Sequence, residues 1–82
     1  MIEETIKTLV CQTLKIRPEV YTEDLGAGDI PEWDSLGHMN LLMAVEKHFG
    51  IAFDVGDSIE IETTGDLVDM VRKYTATGTP PA

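Results

Sequence analysis

The sequence predicts an all-α fold: a small four-helix bundle, three longer helices plus one short, with a long loop between helices 1 and 2. Three observations carry this. Apolar residues recur at three- and four-residue steps in separate segments. Those segments are parted by stretches rich in proline, glycine and acidic turn formers. The chain has 82 residues, enough for one domain and no more.

Residues 2–15 read as the first helix, because Ile2, Ile6, Leu9, Val10 and Leu14 fall on one face. Cys11 lies at the flank of that face. Without basic neighbours to lower its pKa, it reads as a partly buried structural thiol. Residues 16–34 hold two prolines and two glycines and read as a loop, unusually long for a compact domain. Val20, Leu25, Ile30 and Trp33 are expected to pin it to the core.

The second helix is predicted over 35–49, with Gly50 as its stop. Its apolar residues form two arcs. Leu41, Leu42, Val45 and Phe49 make one, the expected core face together with Leu67 and Val71 of the last helix. Leu36, Met39 and Met43 make the other, the candidate for exposure, and methionine suits a surface that accepts several partners. A short third helix is expected within 51–61, with Asp57 as its cap and Ile59 and Ile61 turned inward. Thr63 or Thr64 caps the last helix, whose core face is Leu67, Val68, Val71 and Tyr74. Arg72 and Lys73 suit its C-terminal dipole. The final segment, 76–82, is small and polar and is expected to be disordered, leaving 1–75 as the folded domain.

Fifteen acidic residues against six basic ones give a net charge of -9. That balance argues against nucleic acid, whose phosphates need Lys and Arg, and favours partners with basic surfaces. One cysteine makes no internal disulfide. No basic-then-apolar leader and no run of membrane-spanning length are visible. A cytoplasmic monomer is expected.

Catalysis finds little support. His38, His48 and Cys11 are too scattered for a nucleophile with its base or for metal ligation. The acids of Asp54–Glu60 lack the spacing of a calcium loop. Ser35 is the position of interest. It fits a helix N-cap, accepting a bond from an early backbone N–H. It equally fits attachment of a phosphate, which the unpaired N–H groups and dipole of a helix start favour. The pattern alone is consistent with both. His38 is expected to point toward the core near Ser35, bonded to loop backbone, with contact to a bound group as the functional alternative.

Trp33-Asp34-Ser35-Leu36-Gly37-His38-Met39, followed by Glu46-Lys47-His48-Phe49-Gly50-Ile51, resembles the acyl carrier protein family. That family's hallmark is Asp-Ser-Leu before an apolar helix ending Glu-x-x-Phe-Gly. Thr64-Gly65-Asp66-Leu67-Val68 is similar to its Val-Gly-Asp-Leu segment. The resemblance runs from Ile2 to Tyr74 and implies a carrier domain over 1–75. It implies that Ser35, preceded by Asp34, bears a covalent 4'-phosphopantetheine taken from coenzyme A. A phosphopantetheinyl transferase would install it, and the arm's thiol would carry acyl groups as thioesters. Acyl-loading ligases or synthase enzymes with basic or apolar surfaces would dock on Leu36, Met39, Met43 and Glu46.

The chain departs from many fatty-acid carriers, which have acids where it has Gly37, Asn40 and Lys47. That fits a stand-alone carrier in a specialised pathway: polyketide, nonribosomal peptide or surface-polysaccharide assembly. Gly37 inside a helix also hints at a close approach or local flexibility. The rival class is an unmodified acidic helical adaptor that binds partners through the second helix.

Overall fold

The computed structural model describes residues 2–76. Four helices follow in order: α1 (Ile2–Leu14), α2 (Ser35–Phe49), α3 (Val55–Glu60) and α4 (Thr64–Ala76). A single 3-10 turn, Pro18–Val20, lies in the first loop, and there is no strand among the described residues. The expected bundle of three longer helices and one short one is therefore present. The expected disordered segment, 76–82, lies outside the described residues save for Ala76, which closes α4.

The apolar periodicity of each long helix becomes its buried face. Ile6, Val10 and Leu14 of α1 meet Leu41 and Val45 of α2 and Leu67, Val68 and Val71 of α4 in one core, with Leu25, Trp33, Ile51 and Ile61 contributed by the connections. α1 packs against both α2 and α4. Phe49 and Leu42 are partly buried at its edge. α1 ends on Lys15, a non-glycine residue in the left-handed region (φ 58°). Ile16 N–H then donates back to the Cys11 carbonyl at 3.1 Å, closing the helix end. α2 ends on Gly50 (φ 67°), whose N–H reaches the Glu46 carbonyl, as the sequence suggested.

The long loop is stitched down rather than loose. Leu25 and Trp33 are buried, Ile30 is partly buried against the core, and Val20 is half-buried. Tyr21, which the periodicity did not single out, also packs there. Gly26 and Thr63 form an isolated antiparallel bridge. Around it Ala27 N–H donates to Glu62 O at 2.9 Å and Thr64 N–H to Leu25 O at 2.9 Å. Thr63 caps α4. Its Oγ1 accepts from Asp66 N–H at 3.1 Å, and Asp66 Oδ2 accepts from Thr63 N–H at 3.3 Å, the reciprocal arrangement of a capping box. Thr64, fully buried, donates its hydroxyl to the Thr22 carbonyl instead.

Two expectations for α3 are corrected. Its cap is Asp54, which has extended backbone and accepts from Gly56 N–H. Asp57 sits in the first turn, where it accepts the Tyr74 hydroxyl at 2.6 Å and pairs with Lys73 at 3.7 Å. Ile61 is buried, but Ile59 is 72% exposed. One and a half turns of helix carry too little periodicity to fix a face, and only the residue after the helix reaches the core. α3 has no buried residue of its own. Arg72 pairs with Glu3, joining α4 to α1. No helix of the described residues is long and apolar enough to cross a membrane.

Candidate functional site

The site is built at the start of α2. Asp34 has an extended backbone (φ -93°, ψ -168°), and its Oδ1 accepts from Gly37 N–H at 2.8 Å. Its carbonyl accepts from His38 N–H at 2.8 Å. Asp34 is therefore the N-cap, and Ser35 is the first residue of the helix proper. Of the two roles the sequence allowed Ser35, the capping role belongs to its neighbour. The Ser35 side chain is exposed and its hydroxyl is not needed to close the helix. A phosphate joined to it would meet the positive end of the α2 dipole and early backbone N–H groups that the helix leaves without partners.

Gly37 fixes how the loop approaches this start. A Cβ there would lie 2.3 Å from the Glu32 carbonyl oxygen and 3.2 Å from Leu14 Cδ2. Close approach is thus the reason for a glycine in the first turn. It lets the segment Glu32–Asp34 press against α2, and so sets where Ser35 stands.

Beside Ser35 lies an open groove of ≈ 870 Å³. Asp34, Ser35, His38 and Met39 form one side, and Ile59, Ile61 and Glu62 contribute from α3 and beyond. Trp33 is its floor and is wholly buried. The indole Nε1–H donates to His38 Nδ1 at 3.0 Å, and the two rings lie edge to edge and nearly coplanar, with centroids 6.1 Å apart and planes 20° from parallel. His38 is half-buried. The expected backbone partner for this histidine is replaced by the tryptophan side chain. Because Nδ1 accepts, the neutral ring carries its proton on Nε2.

Leu36 (67% exposed), Met39 (61%) and Met43 (61%) stand out of α2 as the second arc requires. Ile59 and Val55 of α3 are exposed as well, and Met39 and Ile59 both line the groove. Glu46 differs from the other candidate docking residues. Its Oε2 accepts from Phe53 N–H at 2.7 Å, which commits it to holding the segment after α2. The first turn of α2 contains no acid, and its last turn carries Lys47 and His48. Trp33, Ile59 and Ile61 were not singled out from the sequence as groove residues. The one available signal was a tryptophan two residues before Ser35 and five before His38.

Cys11 is half-buried. Burial pushes its thiol above the ordinary value. Contrary to the expectation of no basic neighbour, Lys7 lies close enough to act on it, but that charge pulls it down less strongly than burial pushes it up, so it is not primed as a nucleophile. Among the described residues no three His, Cys, Asp or Glu side chains cluster as a metal site would require.

Comparison with known proteins bears directly on this geometry. A family model described as the phosphopantetheine attachment site matches residues 4–71. The acyl carrier protein of Nitratidesulfovibrio vulgaris is 34% identical over 76 residues, covering 85% of this chain and 92% of its own. That of Thermosynechococcus vestitus is 27% identical over 75 residues, covering 92% and 93%. Among solved structures, the solution NMR structure of a holo acyl carrier protein from Geobacter metallireducens superposes with a TM-score of 0.82. It shares 34% sequence identity, over 93% of this chain and 87% of that one.

Proposed function

The chain belongs to the acyl carrier protein family, and from that premise we propose that Ser35 is the residue to which its phosphopantetheine is attached. It is a carrier and not a catalyst, and its cofactor is a covalently attached phosphopantetheine. The observation that carries the assignment to Ser35 is the division of roles at the start of α2. Asp34 closes the helix, while Ser35 presents an exposed side chain at the mouth of the groove. When attached, the arm supplies a terminal thiol for acyl thioesters.

Each neighbouring residue then has a task. Asp34 holds the first turn in place, and Gly37 lets the preceding loop seat against it. The groove gives the arm a path along α2 and α3, with Met39 and Ile59 as its apolar lips. Leu36, Met39 and Met43 form the surface on which a phosphopantetheinyl transferase and the loading and synthase enzymes dock. The missing acids at Gly37, Asn40 and Lys47 favour partners that read apolar contact, in a specialised pathway such as polyketide, nonribosomal peptide or surface-polysaccharide assembly. The protein is expected to work as a cytoplasmic monomer.

Incubation with coenzyme A and a broad-specificity transferase, read by intact mass and peptide mapping, tests this. One phosphopantetheine should be added at Ser35, and Ser35→Ala should take up none. An addition at another serine or threonine would overturn the assignment. No addition under conditions that modify a control carrier would favour the unmodified adaptor.

A further inference from the structure

We propose that the Trp33–His38 pair closes the bundle interior to cargo, so that this carrier delivers short or polar acyl groups held in the open groove. The inference rests on the carrier reading above and extends it to the class of cargo.

Trp33 stands two residues before Ser35 and is the largest fully buried side chain among the described residues. It belongs to the same core cluster as Leu41 and Val45, and it also floors the groove. The indole is therefore the partition between the place where the arm begins and the hydrocarbon interior. That partition is held from several directions. Trp33 N–H donates to Ile30 O at 3.1 Å, and its carbonyl accepts from Gly28 N–H at 2.8 Å. Its ring nitrogen is tied to His38 at 3.0 Å, which holds the imidazole edge to edge with the indole and nearly in its plane. A hydrocarbon chain threading inward beside Ser35 would have to displace this ring from a close-packed position and leave a buried N–H without its acceptor.

The groove side of the pair has a different character. His38 lines the groove, and its Nδ1 is already occupied by the indole, which puts the proton of the neutral ring on Nε2. Among the described, non-exposed residues no side-chain nitrogen or oxygen is both buried and without a partner. Nε2–H therefore reaches solvent. It is a donor suited to a carbonyl or hydroxyl on the arm or its cargo. A short or polar acyl group can use that donor, whereas the methylenes of a long alkyl chain have nothing to offer it.

The experiment compares the holo, acetyl and octanoyl forms of the full chain, with loading at Ser35 verified by mass before any reading. Failure to load would count against the carrier reading, whereas the cargo inference is read only on loaded protein. Octanoyl and acetyl forms should melt within about 1 °C of each other, since a chain kept out of the core buries little that would favour the native state. Methyl signals of Leu41 and Val45 should not move, while those of Met39 and the His38 ring should. Trp33→Leu keeps an apolar residue but removes bulk and the bond to His38. It should acquire a melting temperature that rises with acyl length. A rise with chain length in the wild-type protein, together with shifts at Leu41 and Val45, would overturn the inference. So would a folded Trp33→Leu protein that remains indifferent to chain length. If that variant does not fold, the wild-type comparison decides alone.

Discussion

Replacing Gly37 by alanine sets two opposed effects against each other at one position. Inside a helix alanine is better than glycine by about 1 kcal/mol, so propensity alone predicts a more stable protein. The structure predicts the opposite. The new Cβ would stand 2.3 Å from the Glu32 carbonyl oxygen, and ordinary contact begins near 3.4 Å, so one side must retreat by about 1.1 Å. The clashing atom is backbone, one residue before the clamped Trp33, and cannot swing aside like a side-chain tip. Overpacking of this kind costs about 1–3 kcal/mol. With the backbone rigid the cost lies in the upper part of that range, and the net loss is about 1–2 kcal/mol. For a domain of this size that lowers the melting temperature by roughly 5–15 °C. Gly56→Ala is the matched control. Its new Cβ would meet only the movable Asp54 carboxylate, at 3.4 Å, so the propensity gain should appear unopposed and the variant should melt at or above wild type. Thermal and urea melts of the unmodified proteins measure both. A Gly37→Ala protein as stable as Gly56→Ala would refute the close-approach argument and leave the glycine unexplained.

Three further outcomes are expected. Phe49→Ala should lose about 3 kcal/mol, the lower end for a phenylalanine truncation because the ring is only partly buried. Met43→Ala, on a side chain 61% exposed, should stay within about 0.5 kcal/mol of wild type, and equal melting temperatures would mean the wrong face is taken as core. Binding of the modified protein to its cognate synthase should fall only mildly with salt, since exposed ion pairs contribute about 0.2–1 kcal/mol each. It should weaken more for Met43→Ala than for Glu46→Gln, and a steep salt dependence with the reverse order would show that charge governs docking. At Tyr74 the Asp54 N–H pulls the hydroxyl's pKa down, but the hydrogen bond to Asp57, burial and the nearby carboxylate charges outweigh it, and the pKa lies above the ordinary 10.0. A pKa raised by folding means stability that is complete below pH 10 and is lost as pH climbs through the folded value. Tyr74→Phe should therefore flatten the alkaline end of the stability profile, and an unchanged profile in that variant would contradict the assignment.

The long helices and their faces were legible because each repeats its apolar spacing over three or more turns, and Gly50 marks a stop that only a left-handed residue makes comfortably. The family was legible through Asp34-Ser35-Leu36 and its flanks, the same residues on which the proposal for Ser35 rests. What escaped was set by backbone angles or by contacts distant in sequence. Asp34 and Ser35 are both good caps, and only the extended backbone at Asp34 decides between them. The same holds for Asp54 against Asp57 in α3, a helix too short for periodicity to speak. Glu46 looks like a free surface acid until its bond to Phe53 N–H is seen. The acceptor on His38 for the Trp33 indole follows from how the loop folds over α2, which no local pattern encodes.

The cap at Asp34 bears on what joining an arm to Ser35 would cost the fold. Acyl groups come and go at the thiol of such an arm, so the Ser35 hydroxyl would change once, when the phosphate is joined to it. Any folding energy that depended on that hydroxyl would be lost at that step, and the transferase would have to work against the fold. With the helix start closed one residue upstream, bond making at Ser35 Oγ and the folding equilibrium are decoupled. The Ser35 hydroxyl can thus be esterified without unmaking the hydrogen bond that starts α2.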